Sequence, residues 1–329
     1  METEIYPNRR LNRLRQSKGI RAMLDLSIPG PEKFMWPIFI KEGVGLKEPI
    51  KSLPEQFYYS IDMVCKDIKK VLEQGVKSIL IFGVIENKLR SKNSEYSYDE
   101  NGLVQRAVRK IRQEFPNLVI FTDVGLTGYT NTGHSHIINK DGNFDNDASL
   151  EIIKKVALSY AKSGATGVAP CGMIDGQVKE LRRSLDENGF KNVILMSYST
   201  KFDTHCCSVF PLQRIDLEKD HAEYLTSYRN KNLAIQESLL DEKEGADILM
   251  VKPGLFYLDI LSEIRKKTNL PIATYNVSGE YVMIYGMIEK GLAKLNGLVK
   301  ESLIALHRAG ADIIISYWAN KYKEIFELE

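Results

Sequence analysis

The chain of 329 residues sets 45 Lys and Arg against 43 Asp and Glu, a formal net charge of +2, and is 43% hydrophobic and 27% charged. That balance excludes a disordered chain and a strongly basic nucleic-acid binder, and the length suits one large α/β domain with a substantial core. With no apolar run of about 18 residues, and no apolar stretch in the opening METEIYPNRRLNRLRQSKG, a cytoplasmic protein without membrane contact is expected.

The basic start, with Arg9, Arg10, Arg13 and Arg15, predicts an N-terminal arm over residues 1–30, either solvated or engaged in subunit contacts. Strands are then predicted at WPIFI from Trp36, KSILIFGV from Lys77, NLVIFTDV from Asn117 and TGVAP from Thr166. Four more follow at NVILMSYS from Asn192, DILMVKP from Asp247, PIATYNVS from Pro271 and DIIISYW from Asp312. Amphipathic helix patterns such as DASLEIIKKVALSYAKSG separate them. Three strands are entered through a Gly-Ala step (Gly164-Ala165, Gly245-Ala246, Gly310-Ala311), where glycine suits the helix C-cap. Eight alternating units without a composition break predict a single domain over residues 1–329, a (β/α)8 TIM barrel, with a doubly wound open sheet as the alternative. Four cysteines, Cys65, Cys171, Cys206 and Cys207, suggest reduced thiols and not a disulfide framework.

Two connections stand out. After Lys201, about 25 to 30 residues precede the helical pattern LAIQESLLDEKEG, and another long loop runs from Gly125 to about Asp147 with His134 and His136. In a barrel both lie on the face where active sites form, the first as a natural lid.

Strand 5 ends at Lys201 and strand 6 at Lys252, the latter followed at once by Pro253. Adjacent strands lie roughly 4.8 Å apart, so both amines are expected in one barrel mouth. A buried amine beside a second cation loses its proton more readily and becomes a nucleophile towards a ketone, giving a Schiff base. A single lysine at a strand end is more often an exposed residue; two that converge weigh against that. Ser278, in YNVSGEY, and Tyr317, in ISYW, end the next two strands and are candidates to hold a substrate carboxylate, though each taken singly is more often a structural hydrogen bonder.

At these residues the chain resembles the porphobilinogen synthase (5-aminolevulinate dehydratase) family. MSYSTKF, GADILMVKPG, YLDIL, YNVSGEY, RAGADIIISYWA, APCGMIDGQV and NRRLNRLR…RAM carry the resemblance, in order, from about residue 6 to 325. It implies a barrel whose arm embraces a neighbour, commonly in a homo-octamer. It also implies condensation of two 5-aminolevulinate molecules to porphobilinogen, with loss of two waters, in tetrapyrrole (heme) biosynthesis. Lys252 would form the Schiff base with the propionate-side substrate, whose carboxylate Ser278 and Tyr317 would hold. Lys201 would bind the acetate-side substrate, and Asp123 and Asp175 would assist proton transfer.

The sequence departs from the family in two places. Where zinc-type members carry three cysteines and magnesium-type members aspartates, this chain has Gly125, Thr127 and Ser135, so no active-site metal is expected there. Where the family has two arginines and a glutamine for the acetate-side carboxylate, it has Pro211, His221 and Leu225, with Arg214 nearby to compensate for one. Cys206-Cys207 replace a lid aromatic. Glu237 matches a glutamate that holds an allosteric Mg2+ in some members; a surface charge is the alternative. His134, His136, His205, Cys206 and Cys207 are an alternative, unusual metal set; solvated histidines and small lid residues are the simpler reading. These departures keep open a Schiff-base aldolase or condensing enzyme with another second substrate, and a non-catalytic paralogue.

Overall fold

The computed structural model describes residues 10–26, 28–207 and 221–327. Eight parallel strands close on themselves: β1 (Phe34–Lys41), β2 (Ser78–Val84), β3 (Val119–Val124), β4 (Gly167–Pro170), β5 (Ile194–Asp203), β6 (Ile248–Lys252), β7 (Ile272–Asn276) and β8 (Ile313–Ser316). β8 pairs with β1 through Phe34–Ile314 and Met35–Ile315, which makes a barrel and rules out the open sheet. These are the eight strands expected from the sequence. They form because short β-branched runs such as Ile313-Ile314-Ile315 suit a strand covered on both faces.

Eight helices follow in alternation: α1 (Ile61–Glu73), α2 (Leu103–Glu114), α3 (Asn146–Lys162), α4 (Gln177–Glu187), α5 (Lys231–Glu244), α6 (Leu258–Arg265), α7 (Ser278–Glu289) and α8 (Lys300–Arg308). The Gly-Ala steps act as expected. Gly164 and Gly245, with φ of 98° and 106°, end α3 and α5 in the left-handed conformation that an L side chain resists, turning the chain into the next strand.

Three small features were not legible in advance. A hairpin of Lys47–Pro49 and Phe57–Tyr59 extends the end of β1. Ile137–Ile138 pairs with Phe144–Asp145 inside the loop predicted from Gly125, and Thr226–Ser227 adds to the end of β5. Pairs this short carry no period. Of the arm, residues 10–26 form a 3-10 turn (Leu11–Arg15) and a helix (Lys18–Leu24) with no buried residue; Leu11, Leu14, Met23 and Leu24 are all exposed.

Inside the barrel, Phe39, Phe82, Tyr275 and Tyr317 form an aromatic layer: Phe39 stacks on Phe82 at 5.4 Å, and the Tyr275 and Tyr317 rings lie 6.0 Å apart. This layer is a floor. The polar cavity lies above it, at the carboxyl ends of the strands.

Candidate active site

β5 and β6 run in register so that Lys201 is the direct partner of Lys252. Both are almost wholly buried, and both line a cavity of ≈ 50 Å³ with Asp123, Cys171, Tyr198, Cys207, Ser278 and Tyr317. The convergence of the two amines expected from the sequence is realised.

Their meeting depends on a bulge. The register slips by one residue between Leu249 and Val251, so β5 carries one residue more than its partner. Ser199 and Thr200 therefore both face α5, bonding to Ser238 at 3.1 and 2.7 Å. Tyr198 and Lys201, three apart, both face the cavity, where strict alternation would set them on opposite sides. Tyr198 is a cavity residue that the sequence reading does not single out.

Burial lowers the proton affinity of Lys201, and the charge of Lys252 acts in the same direction, while Asp123 opposes it. The Lys201 amine donates to the Cys171 carbonyl at 2.8 Å. From the same residue the thiol donates to Asp123 Oδ2 at 3.4 Å. Cys171 thus touches one catalytic candidate with its backbone and another with its side chain. Part of the Asp123 carboxyl meets the cavity, yet burial pushes it up to about 6, with Lys201 and the Cys171 thiol pulling back down. Burial pushes the Cys171 thiol up to about 12, so it stays protonated and a donor.

Ser278 opens α7, and its buried Oγ has no hydrogen-bond partner among the described residues. An unsatisfied buried hydroxyl on the cavity wall suits a polar ligand. The Tyr198 hydroxyl faces Asp123, a contact that also favours the carboxylate. Tyr275 donates to the Tyr317 hydroxyl at 3.1 Å, which orients Tyr317 on the cavity wall. Gly279 is required where it stands, because a Cβ there would collide with the Cys206 carbonyl. That close approach seats Cys207 on the cavity and leaves Cys206 half-buried outside it.

The other candidates lie elsewhere. Asp175 is exposed and lines a second pocket of ≈ 370 Å³ with Glu237, Asp241 and Glu244, and it does not line the lysine cavity. In that pocket burial raises Glu237, with Asp175 and Glu244 adding to the effect. Arg214 and Pro211 lie outside the described residues, as does the side chain of His221, whose backbone opens the turn His221–Glu223. Leu225 lines the second pocket.

His134 and His136 are not solvated, as the simpler reading had them, but buried. They pack with Phe144 and Tyr224, whose ring lies 4.6 Å from that of His136. His134 Nδ1 meets the Tyr224 hydroxyl at 3.3 Å, and burial lowers His136 to about 4, so its ring is neutral at pH 7. His205 is exposed. Among the described residues no three His, Cys, Asp or Glu side chains gather as a metal site.

At the positions where family members hold an active-site metal, Thr127 and Ser135 hydroxyls bond one another at 2.7 Å. A Cβ on Gly125 would lie 2.5 Å from Cys171 Sγ and 2.7 Å from Asp123 Oδ2. Two hydroxyls and a glycine with no room for a side chain do not fit zinc or magnesium.

A family model described as delta-aminolevulinic acid dehydratase matches residues 8–325. The chain belongs to the delta-aminolevulinic acid dehydratase family. The delta-aminolevulinic acid dehydratase of Archaeoglobus fulgidus is 43% identical over 321 residues, covering 97% of this chain and 98% of that one. That of Bacillus subtilis is 36% identical over 94% of this chain and 95% of its own length. A solved delta-aminolevulinic acid dehydratase (porphobilinogen synthase) of Toxoplasma gondii, in complex with the reaction product porphobilinogen, superposes with a TM-score of 0.93. It is 32% identical and covers 96% of this chain and 90% of that one. Among the described residues no helix is long and apolar enough to cross a membrane.

Proposed function

We propose that this chain is a porphobilinogen synthase, condensing two 5-aminolevulinate molecules to porphobilinogen with release of two waters. The observation that carries the reading is the register pairing of Lys201 and Lys252 in one buried cavity, inside family membership over nearly the whole chain. The Lys252 amine attacks the ketone carbon of the propionate-side substrate and water leaves, giving an iminium that draws electrons in the later bond-forming steps. The substrate carboxylate lies at the N-terminus of α7, where the unpaired Ser278 hydroxyl, the Tyr317 hydroxyl and the helix dipole favour an anion. Lys201 takes the acetate-side ketone in the same way. Asp123, beside the Cys171 thiol and the Tyr198 hydroxyl, moves protons between them. Asp175, in the neighbouring pocket, is not given that role. Arg214 and His221 are read as holders of the acetate-side carboxylate.

No step is routed through a metal at Gly125, Thr127 and Ser135. Glu237 is read as the position of an allosteric Mg2+ on its match to the family's glutamate; among the described residues no three carboxylates gather there as a ligand set. We read the protein as cytoplasmic and as a homo-octamer built through the arm, whose leucines face outward in the single chain.

The test is incubation with 5-aminolevulinate, with and without Zn2+ or Mg2+. Pyrrole is read by colour, and borohydride-trapped adducts by intact mass and peptide mapping. Pyrrole with adducts on Lys252 and Lys201 is the expected result. Absence of pyrrole under every condition would overturn the reading, and an adduct on Lys252 alone would redirect it to a different second substrate.

A further inference from the structure

Glu280 stands third in α7, wholly buried and outside the lysine cavity. Its Oε2 accepts from the Val277 amide at 3.2 Å, which is what a glutamate at this helix position does to cap the first turn. Capping needs only that bond. The same oxygen also accepts from Asn276 Nδ2 at 3.1 Å, and Oε1 accepts at 2.8 Å from the amide of Leu255, in the turn that follows Lys252. One carboxylate therefore ties the end of β6 to the end of β7 and the start of α7. The tie continues to β8, because Ser316 Oγ donates to Asn276 Oδ1 at 3.0 Å and accepts from the Trp318 amide at 3.2 Å, on either side of Tyr317.

The two ends of this chain of bonds carry the groups the proposed reaction needs at a fixed separation. Lys252 lies three residues before Leu255, and Ser278 two before Glu280; Tyr317 lies between Ser316 and Trp318. A keto acid bound as an imine at one end and by its carboxylate at the other gains affinity only if that distance is held before it arrives. The groups that Glu280 binds are N–H donors, the Phe256 amide among them, and they favour the ionised carboxylate against the burial that raises Glu280 to about 7, whereas a glutamine would turn an NH2 group towards one of them.

We infer that Glu280 is a positioning residue, which sets the spacing between the Lys252 amine and the Ser278–Tyr317 end of the cavity and so makes the site selective for a carboxylate-bearing ketone. The inference rests on the proposed role of Lys252. It concerns substrate selection and not the chemistry of the imine.

The experiment compares borohydride trapping at Lys252 of levulinate, a keto acid, with that of pentan-2-one, which has the same methyl ketone and no carboxylate. The full-length wild type, Glu280→Gln and Glu280→Asp are used. Wild type is expected to trap levulinate faster. Glu280→Gln is expected to lower that preference about tenfold or more, the scale of losing a charged buried hydrogen bond, while pentan-2-one trapping changes less than about threefold. Glu280→Asp retains a carboxylate able to cap Val277 but is one methylene too short to span to Leu255. A capping role alone predicts an unchanged preference in this variant, and positioning predicts a fall. A preference that survives in both variants, or loss of both ketones in proportion, would overturn the inference, as would failure of both variants to fold. Wild type that traps neither ketone at Lys252 would overturn the catalytic reading of Lys252 and this inference with it.

Discussion

Cys171 holds Lys201 by its backbone carbonyl, at 2.8 Å, and Asp123 by its thiol, at 3.4 Å. Gly125 makes room for this, since a side chain there would occupy the place of the sulfur. One residue at the end of β4 thus couples the second amine to the carboxyl group beside it.

The acid limb of the pH–rate profile should report this contact. Burial raises Asp123 to about 6, so as a proton acceptor it is switched on as pH rises through that value. Cys171→Ala removes a donor that favours the carboxylate, so the limb should move to higher pH. Asp123→Asn should lower kcat by about 10² to 10⁴ and leave trapping at Lys252 intact. An unmoved limb in Cys171→Ala would show that the thiol contact is incidental.

The two lysines should be separable. Lys252→Ala should abolish trapping of levulinate and lower pyrrole formation by about a thousandfold or more. Lys201→Ala should still trap levulinate while pyrrole formation fails. Peptide mapping of the reduced adducts distinguishes the cases; loss of levulinate trapping in Lys201→Ala alone would reverse the assignment of the two subsites.

Ser278→Ala and Tyr317→Phe should raise KM by about tenfold each, on the scale of one buried hydrogen bond to a charge. Tyr317→Phe also leaves the Tyr275 hydroxyl without its acceptor, so a modest loss of stability should accompany it. Steady-state kinetics and thermal unfolding check both. A fall in kcat at unchanged KM would contradict a ground-state grip on the carboxylate.

Asp241 should govern stability above neutrality. Burial raises it to about 7, with Glu244 and Glu237 adding and the Ser197 hydroxyl opposing. A carboxyl group whose folded value is raised favours folding most below its unfolded value near 4, and that contribution is lost as pH rises through about 7. Asp241→Asn keeps an oxygen for Ser197 and should therefore gain on the order of 2 to 4 kcal/mol over wild type at pH 8, with little difference near pH 4. Denaturant unfolding at the two pH values is the measurement, and equal differences at both would refute the burial argument.

Much of this molecule is determined by sequence alone. The order and type of the eight strands are legible because each is a short apolar run between helical periods; the same pattern also suits an open sheet, and closure is decided by the pairing of β8 with β1. The positions of Lys252, Ser278 and Tyr317 at or just past their strand ends are legible for the same reason, since a strand end follows where its apolar run stops; β5 instead runs on past Lys201 to Asp203. Tertiary structure alone decided which of these end residues face one another. The extra residue in β5 reverses the alternation that sequence would assume, and a bulge leaves no composition signal. The burial of His134 and His136 depends on Tyr224, some 90 residues away, and Asp175 and Asp123, both near strand ends, are separated by the path of the β4 loop. Local patterns encode what each segment does by itself; a cavity is made of groups from many segments, and its chemistry exists only after the barrel has closed.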